Sequence, residues 1–325
     1  MSQDHAPGAI YLTEEDVVRL LPMTDAIEAV ELAFRHLGAG GAVNRPRDRV
    51  AFRGGLFHFM AGADQTQGYL GYKAYGGFRG HWVGMMVTLY STENGRVLAI
   101  MAANRLGQIR TGAASGVATR HLARVGPAVV GQLGTGYQGV TQLAAVATVR
   151  EIQEVRVFSR NAERRERFAT EMGAQLGLPV QAVDTAEAAV SGADIVNVIT
   201  NSATPVLHGA WLAPGTHINA AGCNVISRRE IDVETVRRAD LVVADSVEQA
   251  RREAGDLLPA VVRGVITWEQ VRELADIVAG NVIGRTTPDE ITLFESQGVA
   301  LEDVTAAAVV YRRAVEQGLG TPLPF

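Results

Sequence analysis

The pattern of apolar and polar positions changes twice along the chain, and its first part moves from helical to strand-like spacing. Apolar residues recur at helical spacing over residues 13 to 37, where Thr13 precedes three acidic residues as an N-cap would, and a second helix is expected to open near Thr24. From about residue 43 to residue 100 the apolar stretches are short and broken by glycine. The predicted strands are 56–59, 85–90 and 97–101, with a hairpin turn at Glu93-Asn94-Gly95. We therefore expect a mixed α+β domain.

After Gly126-Pro127, strand and helix patterns alternate, which predicts an α/β domain with a doubly wound parallel sheet of the Rossmann type. The predicted strands are 128–133, 155–158, 195–199, 217–221 and 241–244, and the predicted helices are 137–150 and 161–172. The last segment, roughly 290 to 318, is expected to be helical and to pack back on the first domain. The predicted organisation is a discontinuous α+β domain at 1–122 and 289–325 around a Rossmann domain at 123–288.

Composition excludes several classes of protein. A chain of 325 residues favours two domains, and 47% hydrophobic with 20% charged residues is ordinary for a globular protein. The net charge of -5 is too mild and too mixed for binding to nucleic acid or to an anionic membrane. One cysteine rules out an intrachain disulfide, and no signal peptide, apolar membrane segment or metal-ligand spacing of histidines is seen. We expect a cytoplasmic protein with a small-molecule partner and no metal.

A glycine turn after strand 128–133 is the first candidate binding site. The segment Gly134-Thr135-Gly136-Tyr137-Gln138 follows an apolar strand and leads into a helix. Two glycines allow a pyrophosphate to approach the backbone closely, and the helix N-terminus supplies unpaired N–H donors. Dinucleotide-binding turns usually follow the pattern G-x-G-x-x-G, and the fit of the third glycine is ambiguous here. By one count Gly139 lies one residue too late, and by another it lies at the expected position. A plain strand–turn–helix connection is the alternative.

The end of the next strand bears on which dinucleotide would bind. NAD sites usually place a carboxylate there for the ribose 2′-hydroxyl, whereas a 2′-phosphate prefers a cation. The strand here ends Ser159-Arg160-Asn161, without a carboxylate. Because Ser159 can donate to a phosphate oxygen and Arg160 can pair with it, the pattern favours NADP(H) over NAD(H). The alternative is that Arg160 is the solvated start of a charged helix.

Five basic residues of the first half lie among apolar or glycine-rich neighbours, namely Arg45, Arg47, Arg49, Lys73 and Arg110. Arginine can hold a carboxylate through two parallel hydrogen bonds, and a lysine beside other cations loses part of its proton affinity. Such a lysine can exchange a proton with a substrate nitrogen or carbon. The group predicts a site for a substrate carboxylate, although each residue alone could be a surface charge or part of an ion pair.

In order along the chain, these and other segments resemble the ornithine cyclodeaminase/μ-crystallin family. The matching segments are 47, 60–61, 70–73, 109–115, 134–138, 214–222, 284–285 and 291–296. Each alone is a modest signal, but the ordered set spans nearly the whole chain and is specific. The resemblance implies a homodimer whose first domains pair through their sheets, with the active site between the first domain and the Rossmann domain.

The resemblance also implies residue roles. Arg47, Lys73 and Arg110 match residues that hold the substrate carboxylate, and Lys73 also takes part in proton transfer. The loop Thr200-Asn201-Ser202, together with Thr111 and Gly222, would lie near the cofactor. From the residues alone, His81 beside Trp82 is a further candidate for the substrate pocket, with a packed structural histidine as the alternative.

One position departs from the cyclodeaminase pattern. Cyclodeaminases of this family carry an aspartate that acts on the substrate amine, and the matching residue here is Asn224. An amide cannot serve as a general base, so Asn224 is expected to orient the substrate or the nicotinamide instead. The neighbouring Cys223 is expected to be a small buried residue rather than a nucleophile.

The leading hypothesis is an NAD(P)H-dependent reductase of a small α-imino acid or ketimine, of the amino-acid dehydrogenase type, in which Lys73 supplies the proton. Its substrates are expected to be small imino, amino or keto acids. Two alternatives stay open: an ammonia lyase of the ornithine cyclodeaminase type that uses bound NAD, and a non-catalytic NADP-binding protein. Further cations at Arg45, Arg49 or Arg79 suggest a substrate with a second carboxylate.

Overall fold

The computed structural model describes residues 8–79 and 81–325, apart from the side chains at positions 82 and 83. In chain order its strands are β1 (Ile10–Leu12), β2 (Ala42–Asn44), β3 (Asp48–Phe52), β4 (Gly55–Asp64), β5 (Tyr69–Phe78), β6 (His81–Ser91), β7 (Val97–Ala102), β8 (Ala128–Leu133), β9 (Ile152–Phe158), β10 (Val180–Ala182), β11 (Ile195–Val198), β12 (His217–Ala220), β13 (Leu241–Ala244), β14 (Arg272–Glu273), β15 (Thr292–Glu295) and β16 (Thr321–Pro322). Its helices are α1 (Glu14–Leu20), α2 (Met23–Gly38), α3 (Asn104–Leu122), α4 (Tyr137–Val149), α5 (Ala162–Leu176), α6 (Ala186–Val190), α7 (Val233–Arg238), α8 (Val247–Glu253), α9 (Leu258–Val262), α10 (Leu274–Val278) and α11 (Ala300–Gln317). None of the helices in the described part combines the length and hydropathy needed to cross a lipid bilayer.

The chain divides into two compact units. Unit 1 is Met1–Arg110 with Val299–Phe325, and unit 2 is Thr111–Gly298. The boundaries of these units lie within α3 and just before α11. The second half of α3 is bonded to unit 2, where Asn219 Nδ2 donates to Thr119 Oγ1 over 3.0 Å. The boundary before α11 follows β15, a strand of the sheet in unit 2.

The first helix has the cap that the sequence predicts, and the second begins close to the expected position. The Thr13 hydroxyl accepts from Asp16 N while the Asp16 carboxylate accepts from Thr13 N, which is a complete capping box for α1. The second helix begins at Met23, directly after Pro22, whose fixed φ suits a helix start. The Glu14 carboxylate of α1 also accepts from Asn104 N and Arg105 N, and so caps α3.

Unit 1 is built on a mixed sheet whose described strands run β16-β1-β7-β6-β5-β4-β2, with β3 paired to the other side of β4. One face is covered by α11, because a Cβ at Gly62 would lie 3.0 Å from Leu301 N and a Cβ at Gly71 would lie 3.3 Å from Val304 Cγ2. Alternation along β5 then places Lys73 on this covered face.

The opposite face of the same sheet is apolar and exposed. Five of its side chains are 40–60% exposed: Val50, Phe52, Phe57, Phe59 and Phe78. The register of β3, β4 and β5 puts all five on one side. A contiguous apolar surface of this kind is typical of a protein–protein contact.

Unit 2 contains a parallel sheet with the strand order β10-β9-β8-β11-β12-β15-β13-β14. From β8 the chain moves outward to β9 and β10, then returns to the other side of β8 with β11 and β12. This is the doubly wound Rossmann order, and it confirms the predicted fold class. The switch point lies between the carboxyl ends of β8 and β11.

One predicted element is wrong. The segment from 290 to 318 was expected to be helical throughout, but Thr292–Glu295 forms β15 and the helix begins at Ala300. All four residues of β15 are buried, and the strand pairs with β12 and β13 at once. A short apolar run buried on both sides has no period that separates strand from helix, so the sequence pattern could not distinguish them.

Buried polar side chains form a ladder across the centre of this sheet. Asn197 donates to Gln132 Oε1 over 3.1 Å, Asn219 donates to Asn197 Oδ1 over 3.0 Å, and His217 Nε2 lies 3.1 Å from Asn219 Oδ1. His217 Nδ1 lies 2.9 Å from Thr292 Oγ1 on β15. Burial and Arg285 lower the pKa of His217 to about 3, so its ring is neutral. The ladder joins four adjacent strands through fully satisfied bonds, which are strong at low dielectric.

Candidate active site

The glycine turn lies at the switch point of the parallel sheet, where doubly wound proteins bind ligands. Gly134 has φ 111° and approaches β11 so closely that a Cβ would lie 2.2 Å from Ile199 O. At Gly139 a Cβ would lie 2.8 Å from Gly134 O, whereas at Gly136 it would meet nothing within 4 Å. Gly134, Gly136 and Gly139 thus form the complete G-x-G-x-x-G pattern, with open space at the second glycine for a phosphate.

The helix after this turn begins without a side-chain cap, unlike its neighbours along the chain. Helix α4 has Gly136 at its N-cap, no side-chain cap and no acidic residue in its first turn. Four neighbouring helices of unit 2 are capped by a side chain: Asn161 for α5, Thr185 for α6, Asp232 for α7 and Ser246 for α8. Gln132 holds the turn from below, donating to Gly139 O over 2.9 Å and Gly134 O over 3.2 Å. The turn therefore fits a dinucleotide pyrophosphate.

The residues after β9 form a polar surface beside the turn. Thr135 Oγ1 donates to Ser159 Oγ over 2.9 Å, and Ser159 Oγ donates to Asn161 O over 3.2 Å. The Asn161 side chain accepts from Arg164 N over 2.8 Å, so its oxygen is engaged in capping α5. Arg160 is exposed beside these hydroxyls. Ser159 therefore contacts the glycine turn with the exposed Arg160 next to it in the chain, and Asn161 has a structural role.

Two further loops leave the same edge of the sheet, because the carboxyl ends of parallel strands meet at one edge. Thr200-Asn201-Ser202 follows β11, and Ser202 N donates to Thr200 Oγ1 over 3.1 Å. Gly222 and Asn224 follow β12, and Asn224 is exposed. Thr111 lies in the part of α3 that packs on α4, since a Cβ at Gly112 would lie 2.4 Å from Thr141 O. The structure brings these predicted residues to one unit.

Cys223 is a structural residue. Its side chain is buried, and its thiol donates to Arg228 O over 3.0 Å. Burial and the nearby Asp256 raise the pKa of Cys223 to about 12. The thiol is therefore protonated at neutral pH and unsuited to act as a nucleophile, as the sequence predicts.

In unit 1 a buried ion network joins two of the three predicted substrate cations. Lys73 Nζ lies 2.9 Å from Asp303 Oδ1 and 2.7 Å from Asp303 Oδ2. Arg110 Nε donates to Asp303 Oδ1 over 2.9 Å, and Arg110 Nη1 donates to Glu302 over 2.7 Å. All four side chains are buried. The Asp303 carboxylate of α11 thus holds Lys73 of β5 and Arg110 of α3 together.

The pKa of Lys73 is lowered to about 7, chiefly because the side chain is buried and secondly because Arg110 is close. Asp303 acts in the opposite direction and limits the fall. Burial acts to lower the pKa of Arg110 as well, but Asp303 and Glu302 raise it, so Arg110 stays a cation. Lys73 can therefore gain or lose a proton near neutral pH, and Arg110 cannot.

Lys73 is the only lysine in the sequence, against 29 arginines. In a chain that otherwise uses arginine for positive charge, a lysine at a buried position points to a requirement that arginine does not meet. That requirement is a removable proton, since the guanidinium remains protonated in proteins. The single lysine in the sequence is therefore an indication of a special role at position 73 that does not depend on the family motifs.

Arg47 and a histidine lie on the same face of unit 1. Arg47 is buried, and burial together with Arg49 and Arg47 lowers the pKa of His58 to about 4. The His58 ring stacks on Tyr75 with centroids 4.5 Å apart, and Lys73 Nζ lies 5.6 Å from the Tyr75 ring centroid. The stacked, uncharged rings of His58 and Tyr75 therefore lie beside the cations.

His81 lies apart from the buried cations of unit 1. His81 is exposed at the start of β6, opposite Phe78, which is five residues along β5 from Lys73. At about 3.4 Å per residue this places it roughly 17 Å away along the strand. His58 is the histidine that lies among the cations. Sequence reasoning missed it, as it missed Asp303 and Glu302, because these residues join the site only through pairing of distant segments.

No three His, Cys, Asp or Glu side chains within the described ranges are placed to hold a metal ion. The described cations and the glycine turn have chemistry of their own. Arg47 and Arg110 can bind an anion, Lys73 can move a proton, and the glycine turn can hold a diphosphate.

Comparison with known proteins extends over nearly the whole chain. An alanine dehydrogenase from Archaeoglobus fulgidus is 35% identical over 323 residues, covering 97% of this chain and 98% of that protein. A solved structure of Δ1-pyrroline-2-carboxylate reductase from Thermococcus litoralis, in complex with NADH and L-proline, has a TM-score of 0.91 at 37% identity. It covers 97% of this chain and 100% of that one.

A third similar protein is the iminosuccinate reductase of Paracoccus denitrificans, whose structure in complex with NAD+ has a TM-score of 0.92 at 31% identity, with 98% of this chain and 100% of that one covered. The sequence model of one family matches residues 9–318. With the glycine turn and the Lys73 network in the described structure, these matches lead to one assignment. The chain belongs to the ornithine cyclodeaminase/mu-crystallin family.

Proposed function

We propose that this protein is an NAD(P)H-dependent reductase of a small α-imino acid or ketimine, of the amino-acid dehydrogenase type. The observation that carries the proposal is the buried Lys73, held by Asp303 beside Arg110 with its pKa near 7. Relatives that act on imino and amino acids with a nicotinamide cofactor support the same chemistry.

In the proposed reaction the residues of unit 1 bind the substrate and supply a proton. Arg47 and Arg110 bind the substrate carboxylate, and Arg110 retains N–H groups beyond the two that contact Asp303 and Glu302. Lys73 Nζ gives its proton to the imine nitrogen as the C=N double bond becomes a C–N single bond. Solvent then returns a proton to Lys73, and the Tyr75 and His58 rings limit the access of water.

In unit 2 the glycine turn and the start of α4 bind the diphosphate, and Thr200, Asn201, Ser202 and Gly222 line the nicotinamide half. When bound, the reduced nicotinamide would supply the hydride that the imine carbon accepts. We favour NADP(H) over NAD(H), because Ser159 and Arg160 stand where an acidic residue would select NAD.

Net reduction is favoured over ammonia loss because of position 224. A cyclodeaminase reaction requires a base at the substrate amine, and the Asn224 amide cannot take up a proton. Asn224 is exposed in the loop after β12, where it can donate and accept hydrogen bonds. We assign it an orienting role toward the substrate or the nicotinamide.

We also infer a homodimer formed through the sheets of unit 1. The exposed face that carries Phe57 and Phe59 is apolar over three strands, and a second copy of the same face is complementary to it. The archaeal alanine dehydrogenase, 34% identical, is described as a dimer with bound NAD.

The direct test is reduction of a substrate panel. The protein should oxidise NADPH, followed at 340 nm, with five- and six-membered cyclic α-imino acids, iminosuccinate, or keto acids with ammonia. Lys73→Met should lower kcat by about 10²- to 10⁴-fold, since a positioned proton donor contributes that much. A flat trace across the panel would contradict the proposal. Ammonia release from ornithine without a net absorbance change would favour the cyclodeaminase reaction instead.

The protonation of Lys73 can be observed directly, because a protein labelled with ¹³C at the lysine ε-carbon gives one lysine signal. Its titration midpoint should lie near pH 7, and imine reduction should fall as pH rises through that value because the proton donor is lost. Asp303→Asn should move the midpoint to lower pH by about one unit or more, since it removes the carboxylate that raises this pKa.

The matched control for that titration is Glu302→Gln, which removes an anion paired with Arg110 and not with Lys73. It should move the midpoint less than Asp303→Asn does. A wild-type titration midpoint at about pH 10.4, the value for a free lysine, is incompatible with the role assigned to Lys73.

Cofactor preference can be tested at the end of β9. Arg160→Ala should weaken NADPH binding by about tenfold, the loss of one charge-assisted contact, and leave NADH binding unchanged. Ser159→Asp should reverse the preference toward NADH, because a carboxylate repels the 2′-phosphate. Fluorescence titration with both cofactors measures these ratios.

Arg167→Ala, in an exposed pair on α5, is the control and should change neither affinity. Equal losses for both cofactors in Arg160→Ala would rule out recognition of the phosphate.

The dimer is tested by light scattering after size-exclusion chromatography. The double change Phe57→Asp and Phe59→Asp should convert a dimer of about 70 kDa, twice 34.6 kDa, to the monomer, because it places two charges in the apolar face. Val125→Asp is the control, since Val125 is 99% exposed in unit 2. A wild-type protein that elutes as a monomer at micromolar concentration would be evidence against the interface.

A further inference from the structure

One buried carboxyl group contacts both loops that follow the central strands of unit 2. Glu230 is 0% exposed, and its Oε1 accepts from the backbone N–H of Thr200, in the loop after β11. Its Oε2 lies against Gly222, in the loop after β12, where a Cβ would be only 2.1 Å from that oxygen. The same Cβ would lie 2.5 Å from Thr200 O, so the two loops and the carboxyl group meet at one point.

The main chain of Glu230 is itself firmly held. Asp256 Oδ1 accepts from Glu230 N over 2.5 Å and from Ile231 N over 2.9 Å. Glu230 O accepts from Val206 N over 2.7 Å and from Leu207 N over 3.0 Å. Three hydrogen bonds thus fix the main chain of Glu230 to two other segments, and a side chain on such a rigid backbone can determine the position of the groups it contacts.

The Glu230 carboxyl group lies among other acidic groups. Burial and the nearby Asp256 raise the pKa of Glu230 to about 8. Burial, Asp256, Asp245 and Glu230 raise the pKa of Glu295 as well. Since Glu230 is largely protonated at neutral pH, a glutamine there would keep the acceptor oxygen and the same shape without a change of charge.

These two loops lie beside the nicotinamide half of the proposed cofactor site. In the doubly wound fold the diphosphate binds at the turn after the first strand, here β8, and the second nucleotide extends over the strands on the other side of the switch point, here β11 and β12. Thr200 and Gly222 begin the loops at the ends of those strands. A shift of either loop would change the surface on which the nicotinamide rests.

We propose that Glu230 is a positioning residue that ties the loops after β11 and β12 together and thereby sets the affinity for the nicotinamide dinucleotide. The inference rests on the proposed cofactor-dependent function and adds to it a residue outside the glycine motif. Glu230 acts through Thr200 and Gly222 and does not itself need to touch the cofactor.

The test compares Glu230→Ala with Glu230→Gln by fluorescence titration of NADPH and NADH against the full-length protein. Glu230→Ala should weaken dinucleotide binding by at least about tenfold, comparable to the loss of a buried hydrogen bond to a backbone group. Glu230→Gln should stay within about threefold of wild type. At saturating cofactor the KM for the imino acid should change by less than about threefold in both variants. General unfolding would not weaken dinucleotide binding while leaving this KM unchanged.

The matched control is Glu273→Ala. Glu273 is a partly buried carboxyl group of unit 2, and its Oε1 accepts from Val247 N over 2.9 Å. It lies at β14, the edge strand of the sheet, four strands from β11 and so about 19 Å away. This variant should lose thermal stability and retain wild-type dinucleotide affinity.

Gly222→Ala provides a second route if Glu230→Ala does not fold, because the added Cβ displaces the same carboxyl group; it should weaken dinucleotide binding to a similar degree. Folded Glu230→Ala with wild-type affinity would overturn the inference, as would a Glu230→Gln variant as weak as Glu230→Ala. These outcomes leave the proposed reductase function intact. Absence of dinucleotide binding by the wild-type protein would overturn that function and the inference together.

Discussion

The Asp303 carboxylate is the interaction on which the candidate chemistry depends. It is completely buried, it holds Lys73 at 2.7 Å and Arg110 at 2.9 Å, and it comes from a helix that begins almost 300 residues into the chain. Without an anion at this point, two cations could not be buried side by side, since their desolvation and mutual repulsion would be uncompensated. With it, one of them keeps its charge while the other has its pKa close to neutral.

The parallel sheet meets a different constraint, which is to hold a turn that accommodates a diphosphate. The side chains of Gln132, Asn197 and Asn219 form a buried ladder across β8, β11 and β12, and the ladder ends on the carbonyls of Gly134 and Gly139. Each amide has partners, so the ladder stabilises the register of the strands without unpaired polar atoms between them. The glycine turn therefore rests on a rigid support, which favours precise binding.

Arginine and lysine have separate tasks in this chain. Many of the 29 arginines cap carbonyls, form ion pairs or stack on rings; Arg285, for example, donates to Leu122 O over 2.6 Å and to Gly215 O over 3.1 Å. The one lysine lies where burial and Arg110 lower its pKa. A lysine can lose its proton at neutral pH under such conditions and an arginine cannot, so the two residues are not interchangeable at position 73.

The sequence by itself determined the features that depend on neighbours along the chain: the Thr13 cap, the glycine turn from Gly134 to Gly139, the alternation of strand and helix after residue 126, and the missing carboxylate at Ser159. Only the tertiary structure decided the features that join distant segments. Asp303 lies 230 residues from Lys73, β15 is a strand because β12 and β13 flank it, and the register of β5 and β6 separates His81 from the cations. Local periodicity carries information over a few turns of chain, whereas pairing and burial are set by the whole packed molecule.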